Sequence, residues 1–344
     1  MIRFECDYTE GAHPAILEQL LSSNLEQLPG YSDDTYCKQA TKKILSACNT
    51  PNAAVHFLSG GTQANLVMIS SILRPHQGVI SASSGHINVH EGGAIEASGH
   101  KVLSIPSASG KIDASQVEAL YHSHYSDSSR EHMVQPGMVY ISHPTENGTT
   151  YTKKELYELS SLCKKLSLPL YLDGARLAYA LAMPDNDISL SDIATCCDAF
   201  YIGGTKCGAL LGEAIVITNP LLNEDFRYHM KLRGAVLAKG RLIGIQFDTL
   251  FEDDLYMKLG KHAVTLALQI KEAFAKKGIS FLFDSATNQQ FPILENDFID
   301  YLSKKYTFTV WQEMDSEKKA VRFCTSWATS SENVAALLND IALY

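Results

Sequence analysis

From about residue 35 to residue 217 the chain alternates segments of helical periodicity with short β-branched or aromatic runs, and this alternation constrains its fold more than any other feature. The runs fall at 79–83, 101–105, 138–142, 168–172, 199–202 and 214–217. Strands separated by helices are what a parallel sheet with crossover connections requires. Several helix starts are legible. Asp113 with Gln116, and Thr152 with Glu155, can each satisfy exposed helix amides reciprocally. Beyond about residue 253 the order changes to a long helix over 255–277, then strands near 281–283, 291–294, 307–311 and 321–327. A last helix follows Thr329, whose hydroxyl can cap it with Glu332 three residues on. A chain of 344 residues exceeds the ~250–300 at which single cores stop growing. The division expected is a large α/β domain over 35–252 and a smaller α+β domain over 253–344, preceded by a segment 1–34.

Charge and composition narrow the partners. A formal net charge of −9 without a basic stripe argues against nucleic acid, whose binding leans on Lys and Arg neutralising phosphates. No apolar run approaches the ~20 residues of a bilayer span. The start Met1-Ile-Arg-Phe-Glu-Cys-Asp7 has acids where a secretory signal needs an apolar core, so a cytoplasmic location is expected. Eight scattered cysteines without a C-x-x-C pair suit neither a disulfide framework nor a zinc ribbon. A small-molecule ligand is the partner that remains.

Four segments carry chemistry. In Tyr201-Ile-Gly-Gly-Thr-Lys206-Cys-Gly, one lysine stands among small residues after a strand, where backbone and a planar ligand can come close. Alone, this would read as a surface lysine in a glycine-rich turn. In Pro169-Leu-Tyr-Leu-Asp173-Gly-Ala-Arg176, a buried-looking strand ends in an acid at the sheet's carboxyl edge, where open α/β sheets bind ligands. Alone, Asp173 would read as a turn or capping residue. In Phe57-Leu-Ser-Gly60-Gly61-Thr62-Gln-Ala-Asn65, an apolar stretch leads into a helix over 66–73, whose first amides can cradle a phosphate. No lysine follows as a Walker A loop demands, and a simple N-cap is the plain alternative. Finally, Ser84-Gly-His86-Ile-Asn-Val-His90-Glu91 offers an imidazole suited to stacking on a ring or moving a proton. Its two histidines at i, i+4 raise zinc, but the zincin pattern needs a glutamate where Ile87 stands, so no metal is expected.

In family order, Gly60-Gly-Thr-Gln-Ala-Asn65, His86 with Glu91, Asp173-Gly-Ala-Arg176, and Thr205-Lys206 before Gly208 resemble the threonine aldolases and their β-eliminating lyase relatives among fold-type-I pyridoxal 5'-phosphate (PLP) enzymes. The match runs over nearly the whole chain. It implies the PLP-dependent transferase-like fold of the aspartate aminotransferase type, a mostly parallel sheet flanked by helices plus a small C-terminal domain. By the same resemblance, Lys206 forms a Schiff base with PLP, Asp173 pairs with the pyridine nitrogen and His86 stacks on the ring. Gly60, Gly61 and Thr62 hold the phosphate, with Thr205 in place of the usual serine before the lysine. Arg176 and Arg322 match arginines that face the substrate carboxylate, and Asp7 and Tyr31 lie in N-terminal segments that contribute to the site. Relatives are dimers or tetramers in which a neighbour's basic residue reaches the phosphate, for which Arg233, Lys239 and Arg241 are candidates. In one departure, Glu146 of Pro144-Thr-Glu-Asn-Gly148 stands where many threonine aldolases carry a histidine.

The activity implied is retro-aldol cleavage of a β-hydroxy-α-amino acid of the threonine type to glycine and an aldehyde, with His86, Glu146 or a water between them as base. The alternatives are β-elimination or transamination on another amino acid, and a catalytically silent PLP-fold binding protein.

Overall fold

The computed structural model describes residues 1–344. After a two-residue strand β1 (Ile2–Arg3), the main sheet is built from β2 (Ala54–Leu58), β3 (Gln77–Ala82), β4 (Lys101–Ile105), β5 (Gln135–Ser142), β6 (Leu170–Asp173), β7 (Ala199–Gly203) and β8 (Glu213–Ile217). Their order is β2-β8-β7-β6-β5-β3-β4. Strands β3 to β7 run parallel, and β8 alone is reversed, pairing antiparallel with both β7 and β2. The fold is the α/β class of the sequence reading, a mostly parallel seven-stranded sheet covered by helices.

Helices cover both faces because the strands carry apolar side chains on both. Val79, Met138, Tyr140, Tyr171, Tyr201 and Ile215 pack with Ala64, Val67 and Met68 of the helix Gly61–Ile72. On the other face Ile80, Val139, Ile141, Leu172, Phe200 and Val216 meet Leu156 and Leu159 of the helix Lys153–Leu166. Both expected capping boxes form, at Asp113 with Gln116 and at Thr152 with Glu155.

A smaller sheet joins β9 (Gln289–Gln290), β10 (Ile293–Glu295), β12 (Thr309–Glu313) and β13 (Lys318–Cys324), while β11 (Tyr306–Thr307) pairs with β1. Leu266, Ile270 and Phe274 of the helix Leu255–Lys276 meet Val321 and Phe323 here, with Val334, Leu337 and Ile341 of the last helix. The structure corrects some local expectations. The segment 281–283 makes only one bridge, from Phe281 to Pro292, rather than a strand. Ser330, not Thr329, caps the last helix, because Thr329 Oγ1 already accepts from the Ser326 amide at 2.7 Å. The glycine-loop helix begins at Gly61 rather than at 66. No helix is long and apolar enough to cross a membrane.

Candidate active site

Strands β2, β3, β5, β6 and β7 all end at one edge of the sheet, and the reversed β8 begins there. The loops at this edge enclose a cavity of roughly 300 Å³ lined by Gly60, Gly61, Thr62, His86, Glu146, Asp173, Arg176, Thr205, Lys206 and Glu213, among others. Sheet register sets the neighbours: Ser142 lies opposite Asp173, and Glu213 lies opposite both Gly203 and Leu58. The lysine loop can lie against the aspartate loop because position 203 has no side chain. A Cβ there would stand 2.4 Å from the carbonyl oxygen of Ala175. Tyr179 ties this loop down by donating from its hydroxyl to the carbonyl of Lys206 at 2.5 Å. Burial, with Arg176 nearby, lowers the Lys206 pKa and so favours the neutral, nucleophilic amine.

Asp173 is buried, and burial alone would raise its pKa. Four donors surround it instead. Tyr201 donates to Oδ1 at 2.5 Å and the Ala175 amide at 3.0 Å, while Tyr140 donates to Oδ2 at 2.6 Å and Asn65 at 3.0 Å. Together with the charge of His86 they outweigh desolvation, and the net pKa lies below the usual value. Asp173 is a carboxylate fixed at both oxygens.

Asn65 continues the network to Glu91 at 2.7 Å, and Glu91 bonds His86 Nδ1 at 2.8 Å. Burial works against charge on His86, yet Glu91 and Asp173 prevail and raise its pKa. No cluster of His, Cys, Asp or Glu is placed to hold a metal ion. At the start of the helix Gly61–Ile72, Gly60 is the N-cap with an extended backbone and no side-chain cap, which leaves the first amides for an anion. A Cβ on Gly60 would meet nothing within 4 Å.

Glu146 accepts from Ser142 Oγ at 2.7 Å and from the His86 amide at 3.0 Å through Oε1. Its Oε2 is buried without a partner. Burial raises its pKa above the ordinary range, against the lowering by Ser142.

The expected substrate-facing groups are arranged differently from one another. Arg176 lines the cavity, but its guanidinium is bidentate on Asp7, Nε to Oδ2 at 2.6 Å and Nη2 to Oδ1 at 3.0 Å. Burial would raise the Asp7 pKa, but Arg176 and Lys206 hold it down at about 2. Removing one member of such a buried pair costs ~3–5 kcal/mol, because the other charge is left uncompensated. Arg322 donates to the Glu5 carbonyl at 2.9 Å and lies over the Trp311 ring at 5.0 Å, with its Nε buried and unpartnered. Tyr31 stands apart from this cavity, half exposed in a separate groove with Arg227, Tyr228 and Lys231. Of the candidate phosphate-reaching residues, Arg241 is held by the carbonyls of Glu26 and Asn24 at 2.7 and 3.1 Å, while Lys239 is exposed.

The sequence reading did not single out Tyr140, Tyr201 or Glu213, nor assign Asn65 a role. A signal existed. Tyr140-x-Ser142 and Tyr171-x-Asp173 place polar groups two apart on buried strands, hence on one face. A buried polar group needs a partner, so such pairs announce a network.

The residues fit PLP. An amine in a buried site, an ionised carboxylate locked by donors, an imidazole and bare helix amides all face one cavity. A family model described as beta-eliminating lyase matches residues 8–296. A threonine aldolase structure from Leishmania major is 43% identical, covers 100% of this chain and 99% of its own, and superposes with a TM-score of 0.97. A low specificity L-threonine aldolase from Pseudomonas aeruginosa is 28% identical over 99% of this chain and 97% of its own length. At 14% identity, a Thermus thermophilus aspartate aminotransferase double mutant shares the fold with a TM-score of 0.71 over 100% of this chain and 91% of its own.

Proposed function

The chain belongs to the beta-eliminating lyase family, and on that premise we propose that it is a PLP-dependent aldolase cleaving a β-hydroxy-α-amino acid of the threonine type to glycine and an aldehyde. The observation that carries the reading is one cavity faced by Lys206, an ionised Asp173 and the bare amides at Gly60 to Thr62. When bound, PLP supplies an electron sink for the pair released at the substrate α-carbon. Lys206 would hold it covalently, Asp173 would keep the pyridine nitrogen protonated, and His86 would lie against the ring. Gly60, Gly61 and Thr62 would take the phosphate, while Thr205, expected there too, spends its hydroxyl proton on Glu213 at 2.8 Å and its amide on the Gly212 carbonyl at 3.1 Å.

The substrate carboxylate pairs with Arg322, which does not line the cavity itself but whose charge is felt by Tyr8 on the cavity wall. Arg176 completes that pocket only by sharing its fork with Asp7. Glu146 is the base. Its free Oε2 removes the β-hydroxyl proton, the Cα–Cβ bond breaks, the aldehyde leaves, and the α-carbon is reprotonated as glycine. His86 is less suited, because Nδ1 is committed to Glu91.

Glu146→Gln is expected to lower kcat by ~10²–10⁴-fold, the usual contribution of a positioned base. The wild-type rate should fall on the acid side as the carboxyl takes up a proton, at a pH above the ordinary carboxylate value of 4.5. Glu146→Gln should lose that limb, as a pH profile of kcat will show.

The reaction itself is tested by product. Glycine and acetaldehyde from threonine support the aldolase, whereas a 2-oxo acid with ammonia from serine or cysteine conjugates supports β-elimination. No aldehyde from any β-hydroxy-α-amino acid rejects the proposal. Lys206 argues against a silent binding protein. Eight free cysteines suit a cytoplasmic location. The exposed groove of Tyr31, Tyr228 and Lys231 suits assembly as a dimer or tetramer.

A further inference from the structure

Glu213 is a buried acid that the reaction above does not use. It opens the reversed strand β8, so its register partners are Leu58, two residues before Gly60, and Gly203, three residues before Lys206. One side chain therefore stands between the glycine loop and the lysine loop, and it lines the same cavity. It has no ion-pair partner. The Thr205 hydroxyl donates to Oε1 at 2.8 Å, the Gly204 amide donates to Oε2 at 3.1 Å, and Thr205 Oγ1 itself accepts from the Gly212 amide at 3.0 Å.

A carboxylate in that place would repel the anion that the Gly60 amides are built to attract. A carboxylic acid would not, and it brings a donor. We infer that Glu213 is held as the neutral acid and donates a hydrogen bond to a phosphate oxygen of the cofactor, completing the cradle that Gly60, Gly61 and Thr62 begin. This rests on the PLP reading above. Burial supports it by pushing the Glu213 pKa up to about 8, against the lowering by Thr205 and Lys206. The groups facing it are Lys206 and Cys207 from its loop, Asp173 and Tyr171 from β6, Tyr201 from β7 and Tyr256 from the helix Leu255–Lys276. Burial pushes Cys207 up to about 12 and the tyrosines well above 10, and Asp173 is lowered away from the tested range, so Lys206, lowered towards it, is the facing group whose titration the test must cancel. Lys206 meets the aldehyde, which pyridoxal shares with PLP.

The test titrates the full-length protein with PLP and with pyridoxal, which lacks the phosphate, and follows the ratio of their dissociation constants from pH 7 to 9.5. In the wild type the preference for PLP is expected to shrink by about tenfold per pH unit above the pKa of Glu213. In Glu213→Gln, whose amide donates at every pH, the preference should stay near the wild-type pH 7 value throughout. A wild-type preference that does not change with pH overturns the inference, even should the variant fail to fold. So does tighter PLP binding by Glu213→Gln at pH 7, the mark of a relieved repulsion. If neither ligand binds the wild type, the cofactor reading falls and takes the inference with it, whereas binding of both with a constant ratio removes the role of Glu213 alone.

Discussion

Replacing Lys206 by alanine is expected to abolish the covalent attachment of PLP and to lower kcat by ~10⁴-fold or more, the scale of loss when a nucleophile is removed from a unit that acts together. The expectation follows from burial. The amine sits in a site where desolvation and Arg176 favour its neutral form, and a truncated side chain leaves no nucleophile at that point of the cavity. The fold should survive, because the Tyr179 bond that anchors this loop uses the backbone carbonyl and not the side chain. The check is the visible absorption of the purified protein and its mass after borohydride reduction. The wild type should be yellow and gain the mass of the reduced cofactor on Lys206, and Lys206→Ala should do neither. A labelled alanine variant would remove the lysine from the mechanism.

Asp173→Asn should produce the second large loss, ~10³-fold in kcat, with circular dichroism unchanged. The amide is nearly isosteric but carries no charge to keep a pyridine nitrogen protonated. It also turns one acceptor into a donor facing the donors Tyr140, Tyr201 and Asn65, so the network around it must rearrange. The discriminating readout is the exchange of the glycine α-proton with solvent, measured by NMR. That exchange needs the electron sink and no base at the β-carbon. It should collapse in Asp173→Asn and persist in Glu146→Gln. Equal loss in both would put the two carboxyls in one role.

The parts of the fold that announce themselves locally were legible in the chain. Runs such as 138–142 and 199–202 coincide with strands because buried strands of a parallel sheet are apolar on both faces. Strand β2 is legible only as an apolar stretch, since three of its five residues are half buried and its pattern is correspondingly weak. Glycines hid the true start of the next helix, because Gly61 is a poor helix former placed there for its bare amide. The reversal of β8 has its own signal in the chain. Only residues 204–212 separate it from β7, fewer than the dozen or so that a parallel crossover needs. Lys206, Asp173, His86 and Gly60 stand out because each sits among small or apolar residues in a recognisable string. Tyr140, Tyr201 and Glu213 come from three different strands, and although the spacing of Tyr140 and Ser142 hints at a polar network, which groups meet is set by register between strands. The Asp7–Arg176 pair spans almost half the chain and is invisible for the same reason.

The leading segment touches the smaller sheet and the main-sheet cavity at once. Ile2 and Arg3 pair with Tyr306 and Thr307, the Phe4 carbonyl accepts from the Cys324 amide, and Asp7 clasps Arg176 beside the cavity. The first seven residues are thus the stitching of the molecule, with their far end inside the chemistry. Affinity handles and fluorescent labels for this protein therefore belong at Tyr344, which is half exposed, and not ahead of Met1.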